Sequence, residues 1–284
     1  AGGKGINVAR ATKVLKGNAL LTGIMGGHTA VIITDDLNMS GINNDFCIID
    51  KETRTCLIIL DKNRSTHTVI NEEGPLLSDK EIDTFINKFI SITKYVSYVV
   101  LSGSIPKTLD RTIYDELITI CNKNNIKCVV DASRKALIDS IKARPFIIKP
   151  NIFEISEIFE DMSIKNNAMK ENFSPLIKRC EDILAQGPKN IIVTLGELGA
   201  ILINKDFIFR VVAPKIDVIN PIASGDSATA ALTMELENNK TLEEALISAV
   251  AAGTANATIG GLRFSFELYS KLRAETKGYY IERN

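Results

Sequence analysis

A chain of 284 residues with 45% hydrophobic content can bury a substantial core, and its 34 Lys plus Arg balance 34 Asp plus Glu. Zero net charge argues against nucleic acid or an anionic membrane as principal partner, and no apolar stretch is long enough to span a bilayer. Cys47, Cys56, Cys121, Cys128 and Cys180 are odd in number and lack the close pairs of zinc or redox motifs, so free buried thiols in a reducing cytoplasm are expected; His28 and His67 are too isolated for a metal cluster.

In chain order, Ala1-Gly2-Gly3-Lys4-Gly5 is a glycine-rich turn that lets a ligand approach the backbone beside one positive charge. Its spacing is not that of a Walker A loop, and such turns are often plain connections. An amphipathic helix is expected over 6–16. A helix of this kind should follow a strand, so a strand is expected upstream of this numbering. Runs at 19–25, 98–102, 127–131, 146–149 and 190–195 have the length and β-branched content of buried strands. Between them, 78–92, 112–124 and 174–185 repeat apolar residues at helical spacing. This alternation predicts a single α/β domain over 1–284, a mostly parallel sheet with helices on both faces. Residues 46–70 break the pattern and read as an antiparallel meander projecting as a small lid. The polar segments Ser102-Gly103-Ser104, Asp131, Lys149-Pro150-Asn151 and Thr194-Leu195-Gly196 close or follow predicted strands, where ligands bind on such sheets.

The most chemically informative segment is 220–230, Asn-Pro-Ile-Ala-Ser-Gly-Asp-Ser-Ala-Thr-Ala. Pro221 ends an extended stretch, and Ala223, Ser224 and Gly225 keep the backbone open at the start of a helix whose first N–H groups and dipole suit a phosphate. Asp226 at that edge is either a helix cap or a base that accepts a hydroxyl proton during phosphoryl transfer.

Ala1-Gly2-Gly3-Lys4-Gly5-Ile6-Asn7-Val8-Ala9 and residues 220–230 resemble the first and second signatures of the ribokinase-like, or PfkB, family of carbohydrate kinases. The resemblance runs through almost the whole chain. Within the family, Glu52-Thr53-Arg54-Thr55-Cys56, Ser102-Gly103-Ser104-Ile105-Pro106 and Asn220-Pro221 look most like tagatose-6-phosphate kinases, with bacterial 1-phosphofructokinases close by.

The resemblance implies a ribokinase-like fold with a β lid and a cytoplasmic, magnesium-dependent enzyme that uses ATP as co-substrate. Its expected reaction converts tagatose 6-phosphate to tagatose 1,6-bisphosphate. Phosphorylation of fructose 1-phosphate or fructose 6-phosphate is the neighbouring reading; a kinase for an unphosphorylated sugar or nucleoside is the second reading, which Arg54 and Lys4 argue against, and a catalytically silent sugar- or nucleotide-binding regulator is the reading from another class. By the same resemblance Asp226 is the base, and Ala223, Ser224 and Gly225 form the anion hole. Gly2, Gly3, Lys4, Asn7, Arg54 and Ser104 face the sugar phosphate. Lys149, Asn151, Thr194, Gly196, Gly199 and Asn256 face the nucleotide, and Asn151 with Glu154 organises Mg²⁺, partly through water. A homodimer paired through the lid is implied too. Three departures stand out: Ala223 replaces a family glycine, the family's sugar-binding aspartate on the opening strand has no counterpart in this numbering, and Gly26-Gly27-His28-Thr29-Ala30 lacks a glycine that relatives commonly carry a few residues later.

Overall fold

The computed structural model describes residues 1–61, 66–105, 111–259 and 262–283. At its centre is a seven-stranded sheet in the order Lys277–Ile281, Ile208–Val212, Ala200–Asn204, Asn190–Thr194, Ile147–Ile148, Lys127–Asp131, Tyr98–Ser102. Four of the five strands read from the sequence, Tyr98–Ser102, Lys127–Asp131, Ile147–Ile148 and Asn190–Thr194, run parallel, whereas the run at 19–25 divides into Leu20–Leu21 and Ile24–Gly26, which pair outside this sheet. The three that extend the sheet beyond Asn190–Thr194 are antiparallel, which makes the sheet mixed. Ala200–Asn204 and Ile208–Val212 form a hairpin whose turn is closed by Asn204 Oδ1, which accepts from the N–H groups of Asp206 and Phe207 at 2.9 Å each.

Side-chain alternation explains why both faces are covered. Val130, Ile148, Ile191, Val193 and Ile201 point into one core with helices Asp79–Thr93, Ile113–Lys123 and Ser174–Leu184. Val129, Ile147, Ile192 and Leu202 point into the other, against Ser224–Glu237 and Leu242–Ala257. Helix Lys4–Val14 packs on Ser224–Glu237, so two helix N-termini meet above the same end of the sheet. The outer edge of Tyr98–Ser102 has no partner strand among the described residues, and an apolar groove of about 700 Å³ lined by Val8, Leu21, Phe89 and Leu101 runs beside it.

The meander expected over 46–70 divides differently. Cys47–Ile49 pairs in parallel with Ile24–Gly26, and its alternation sends Cys47 and Ile49 into the main core. Phe46 packs with Ile6, Ala9, Leu37 and Ile42, so it too belongs to the body of the domain. The projecting element is the antiparallel hairpin Cys56–Asp61 with Thr66–Asn71, its tip at 62–65 lying outside the described residues. Four cysteines are buried, whereas Cys56 is exposed because it opens this hairpin.

Candidate active site

Lys4 is the first residue of its helix and Asn7 lies one turn on, so both side chains leave the same face. They converge on Asp226, in the first turn of Ser224–Glu237. Lys4 Nζ donates to Asp226 Oδ1 at 2.8 Å, and Asn7 Nδ2 donates to Asp226 Oδ2 at 2.8 Å. Asp226 is only 4% exposed, so a long-range pair of donors replaces most of its water.

A second carboxylate joins the cluster. Asp131 ends its parallel strand, and Asp131 Oδ1 lies 3.2 Å from Lys4 Nζ while Oδ2 lies 3.2 Å from Lys149 Nζ. Thr229 Oγ1, one helical turn below Asp226, donates to Asp131 Oδ2 at 2.7 Å. Burial works against both charged forms. For Lys4 the flanking carboxylates of Asp131 and Asp226 override it and hold the ammonium's pKa above the ordinary lysine range. For Asp131 burial is overridden by Lys149 and Lys4, so its pKa falls below the usual aspartate value. The sequence marked Asp131 only as a strand end and did not mark Thr229.

Ala223 caps the helix in the left-handed conformation, φ 66° and ψ 7°, where a side chain costs about 1 kcal/mol relative to glycine. The Ser224 N–H is already given to the Pro221 carbonyl at 3.2 Å, so the open donors of the expected anion hole are in the turn beginning at Gly225. A Cβ on Gly225 would lie 3.7 Å from Lys149 Nζ, which places a buried cation beside the same backbone. Asn256 is fully buried: its Nδ2 donates to the Ile222 carbonyl at 2.7 Å and Ser224 Oγ at 3.2 Å, bracing the turn from behind.

Asn151 and Glu154 form a reciprocal capping box at the start of Ile152–Ile158. Asn151 Oδ1 accepts from the Glu154 N–H at 2.9 Å, and Glu154 Oε2 accepts from the Asn151 N–H at 2.8 Å. Burial pushes the Glu154 pKa up, although the Asn151 N–H and Lys149 pull it down. Among the described residues no three His, Cys, Asp or Glu side chains group as a metal cage. One half-buried carboxylate without a cage of further acidic ligands fits a hydrated Mg²⁺ rather than a protein-caged ion. Thr194 bridges to Asn151 through its backbone, and Gly196 and Gly199 follow in the turn after that strand.

Gly2 and Gly3 are exposed ahead of Lys4, and Gly3 supplies the positive φ of 121° at the helix start. Gly103 sits against the Lys4 side chain, 3.6 Å from Lys4 Cβ to the Cβ it lacks. The next residue, Ser104, accepts from Arg54 at 2.8 Å, so Arg54 reaches back to the site from the foot of the hairpin. Both line a cleft of about 410 Å³ with Thr53, Asn71 and Glu72. Pro106, the last residue of that predicted turn, lies outside the described residues.

Comparison with known proteins agrees with this fold. Residues 1–267 match the family described as pfkB family carbohydrate kinase. A 1-phosphofructokinase of Borreliella burgdorferi is 36% identical over 263 residues, covering 92% of this chain and 82% of the relative. Phosphofructokinase-2 from Escherichia coli in complex with potassium superposes with a TM-score of 0.86 at 27% identity, covering 96% of this chain and 87% of that one. The tetrameric inhibited form of that enzyme gives a TM-score of 0.84, with the same identity and the same coverage of both chains.

Proposed function

The chain belongs to the PfkB family of carbohydrate kinases, and from that premise we propose that it transfers the γ-phosphoryl group of ATP to a free hydroxyl of a ketose phosphate. The observation that carries this reading is the convergence of Lys4 and Asn7 on Asp226 at the open start of a helix. Asp226 accepts the proton of the attacking hydroxyl, and the first-turn N–H groups with Lys149 stabilise charge on the transferred group. Fructose 1-phosphate is the first substrate to try, supported by the Borreliella relative, and tagatose 6-phosphate, the expectation from the Arg54 and Ser104 segments, is the second. A coupled ADP-release assay over fructose 1-phosphate, fructose 6-phosphate, tagatose 6-phosphate and the parent sugars tests this. ADP release with none of them, despite nucleotide binding, would favour the silent regulator.

Asn151 and Glu154 would hold Mg²⁺ through its water shell, and the ion when bound would neutralise the nucleotide phosphates. Glu154→Gln keeps the capping box, because glutamine can reach the same N–H, and removes one charge. The Mg²⁺ concentration for half-maximal rate should rise about tenfold. An unchanged titration would leave Glu154 as a helix cap alone.

The lid supports a homodimer. Its register places Leu57 opposite Ile70, and both are about half exposed, at 53% and 52%, as is neighbouring Ile59 at 50%. A two-stranded hairpin cannot shelter such residues by itself. Light scattering should report twice the chain mass at micromolar concentration, and Leu57→Glu with Ile70→Glu should halve it. A monomeric wild-type protein would count against the dimer.

A further inference from the structure

A cation lies buried in the sheet with no role in the chemistry above. Arg210 occupies the middle of Ile208–Val212, among Ile208, Phe209 and Val211, and is 2% exposed. No carboxylate forms an ion pair with it among the described residues. Three backbone carbonyls take its guanidinium instead: Ala200 at 3.0 Å, and Leu198 and Val211 at closer range. The ring of Phe173 stacks 5.1 Å from the guanidinium carbon, and Nε has no partner. Burial pushes the Arg210 pKa down, the signature of a charge held against its solvation preference.

An aliphatic residue would fill this position without that cost, so the carbonyls it grips carry the meaning. Two of them, Leu198 and Ala200, bracket Gly199 in the turn that follows Asn190–Thr194. Gly199 has φ 91°, and a Cβ there would lie 2.3 Å from the Val211 carbonyl, so the turn is pressed onto the strand that carries Arg210. Within the turn the Leu195 N–H donates to the Gly199 carbonyl at 2.8 Å, and the Gly199 N–H to the Gly196 carbonyl at 2.9 Å. Pinning the Leu198 carbonyl therefore fixes the peptide plane entering Gly199, whose N–H holds the Gly196 carbonyl, and pinning the Ala200 carbonyl fixes the plane just beyond the turn. Gly196 faces open space, with nothing within 4 Å of where its Cβ would be, so the braced turn has one free side.

We propose that Arg210 is the positioning residue of the nucleotide turn, setting Gly196–Gly199 from beneath so that its open side receives the nucleotide. This rests on the reading of that turn as a nucleotide contact. The fork geometry of arginine matters, because one planar group must reach several carbonyls at once.

The test uses Arg210→Met, similar in length and apolar, and Arg210→Lys, which keeps the charge and loses the fork. Calorimetric affinities for ATP and for the sugar phosphate are measured separately, together with steady-state kinetics. Arg210→Met should weaken ATP binding and raise the KM for ATP on the order of tenfold, with sugar-phosphate affinity within about twofold and kcat at saturating ATP within about threefold. Arg210→Lys should fall between. Equal losses for both ligands, or unchanged ATP affinity with only a lower Tm, would overturn the proposal. If Arg210→Met does not fold, Arg210→Lys decides by the same ratio, and failure of both would make Arg210 a purely structural residue. A wild type that binds no nucleotide would sink the functional reading itself, whereas variants that bind ATP like an active wild type would sink only this proposal.

Discussion

Asp226→Asn should lower kcat about a thousandfold while leaving the affinity for ATP within twofold, because an amide fills the same volume and cannot accept the hydroxyl proton. The geometry sharpens the expectation. Lys4 and Asn7 each donate to a different oxygen of Asp226 at 2.8 Å, and an amide offers only one acceptor to those two donors. One of them is left facing an N–H₂ group, so a modest loss of stability should accompany the loss of rate. Thermal melting separates the two effects, since a folded variant with intact ATP binding and near-zero turnover isolates the proton acceptor. Single-turnover rates within tenfold of wild type would remove Asp226 from the role of base.

How much of this was legible in the sequence depended on whether the signal was local. Tyr98–Ser102 and Lys127–Asp131 are continuous β-branched runs, and the structure places both strands over the residues expected. Helix Asp79–Thr93 begins one residue after Ser78, whose capping box with Glu81 is a local signature. Leu242–Ala257 escaped because it is buried nearly all round, which erases the helical period that marks a surface helix. The hairpin of Ala200–Asn204 and Ile208–Val212 escaped because its three-residue connection, Lys205-Asp206-Phe207, carries no glycine or proline. At the site, Lys4, Asn7 and Asp226 stood out because each sits in a compact motif. The network that joins them did not: Lys4 and Asp226 are 222 positions apart, and Asp131 and Thr229 are 98 apart. Ala223 stood out as a replacement for a family glycine, and its left-handed φ of 66° is the conformation in which glycine carries no cost.

The same distinction between local and assembled signals governs Arg54, whose substitution should separate a sugar-phosphate kinase from a simple sugar kinase. Its neighbours hold it firmly. The Gly26 N–H donates to Thr53 Oγ1 at 2.8 Å, and Glu52 accepts from the N–H groups of His28 and Thr29 at 3.0 and 2.7 Å, fastening the foot of the hairpin to the start of Gly27–Met39. From that foot the guanidinium reaches Ser104, beside Gly103 and Lys4, and lines the cleft of about 410 Å³ near the cluster of Lys4, Asn7 and Asp226. If it grips the phosphate already present on the substrate, Arg54→Ala removes a charge-assisted contact of about 2 to 4 kcal/mol in a partly desolvated site. At about 1.4 kcal/mol per decade, kcat/KM for the sugar phosphate should fall roughly 30-fold to 1000-fold. For the unphosphorylated sugar, which offers the guanidinium nothing to hold, the same substitution should change kcat/KM by less than about threefold. Comparing wild type and variant on both substrates isolates the phosphate contact, since damage to the lid would depress both together. Equal losses on the two substrates would make Arg54 a brace for Ser104 and favour a simple-sugar kinase.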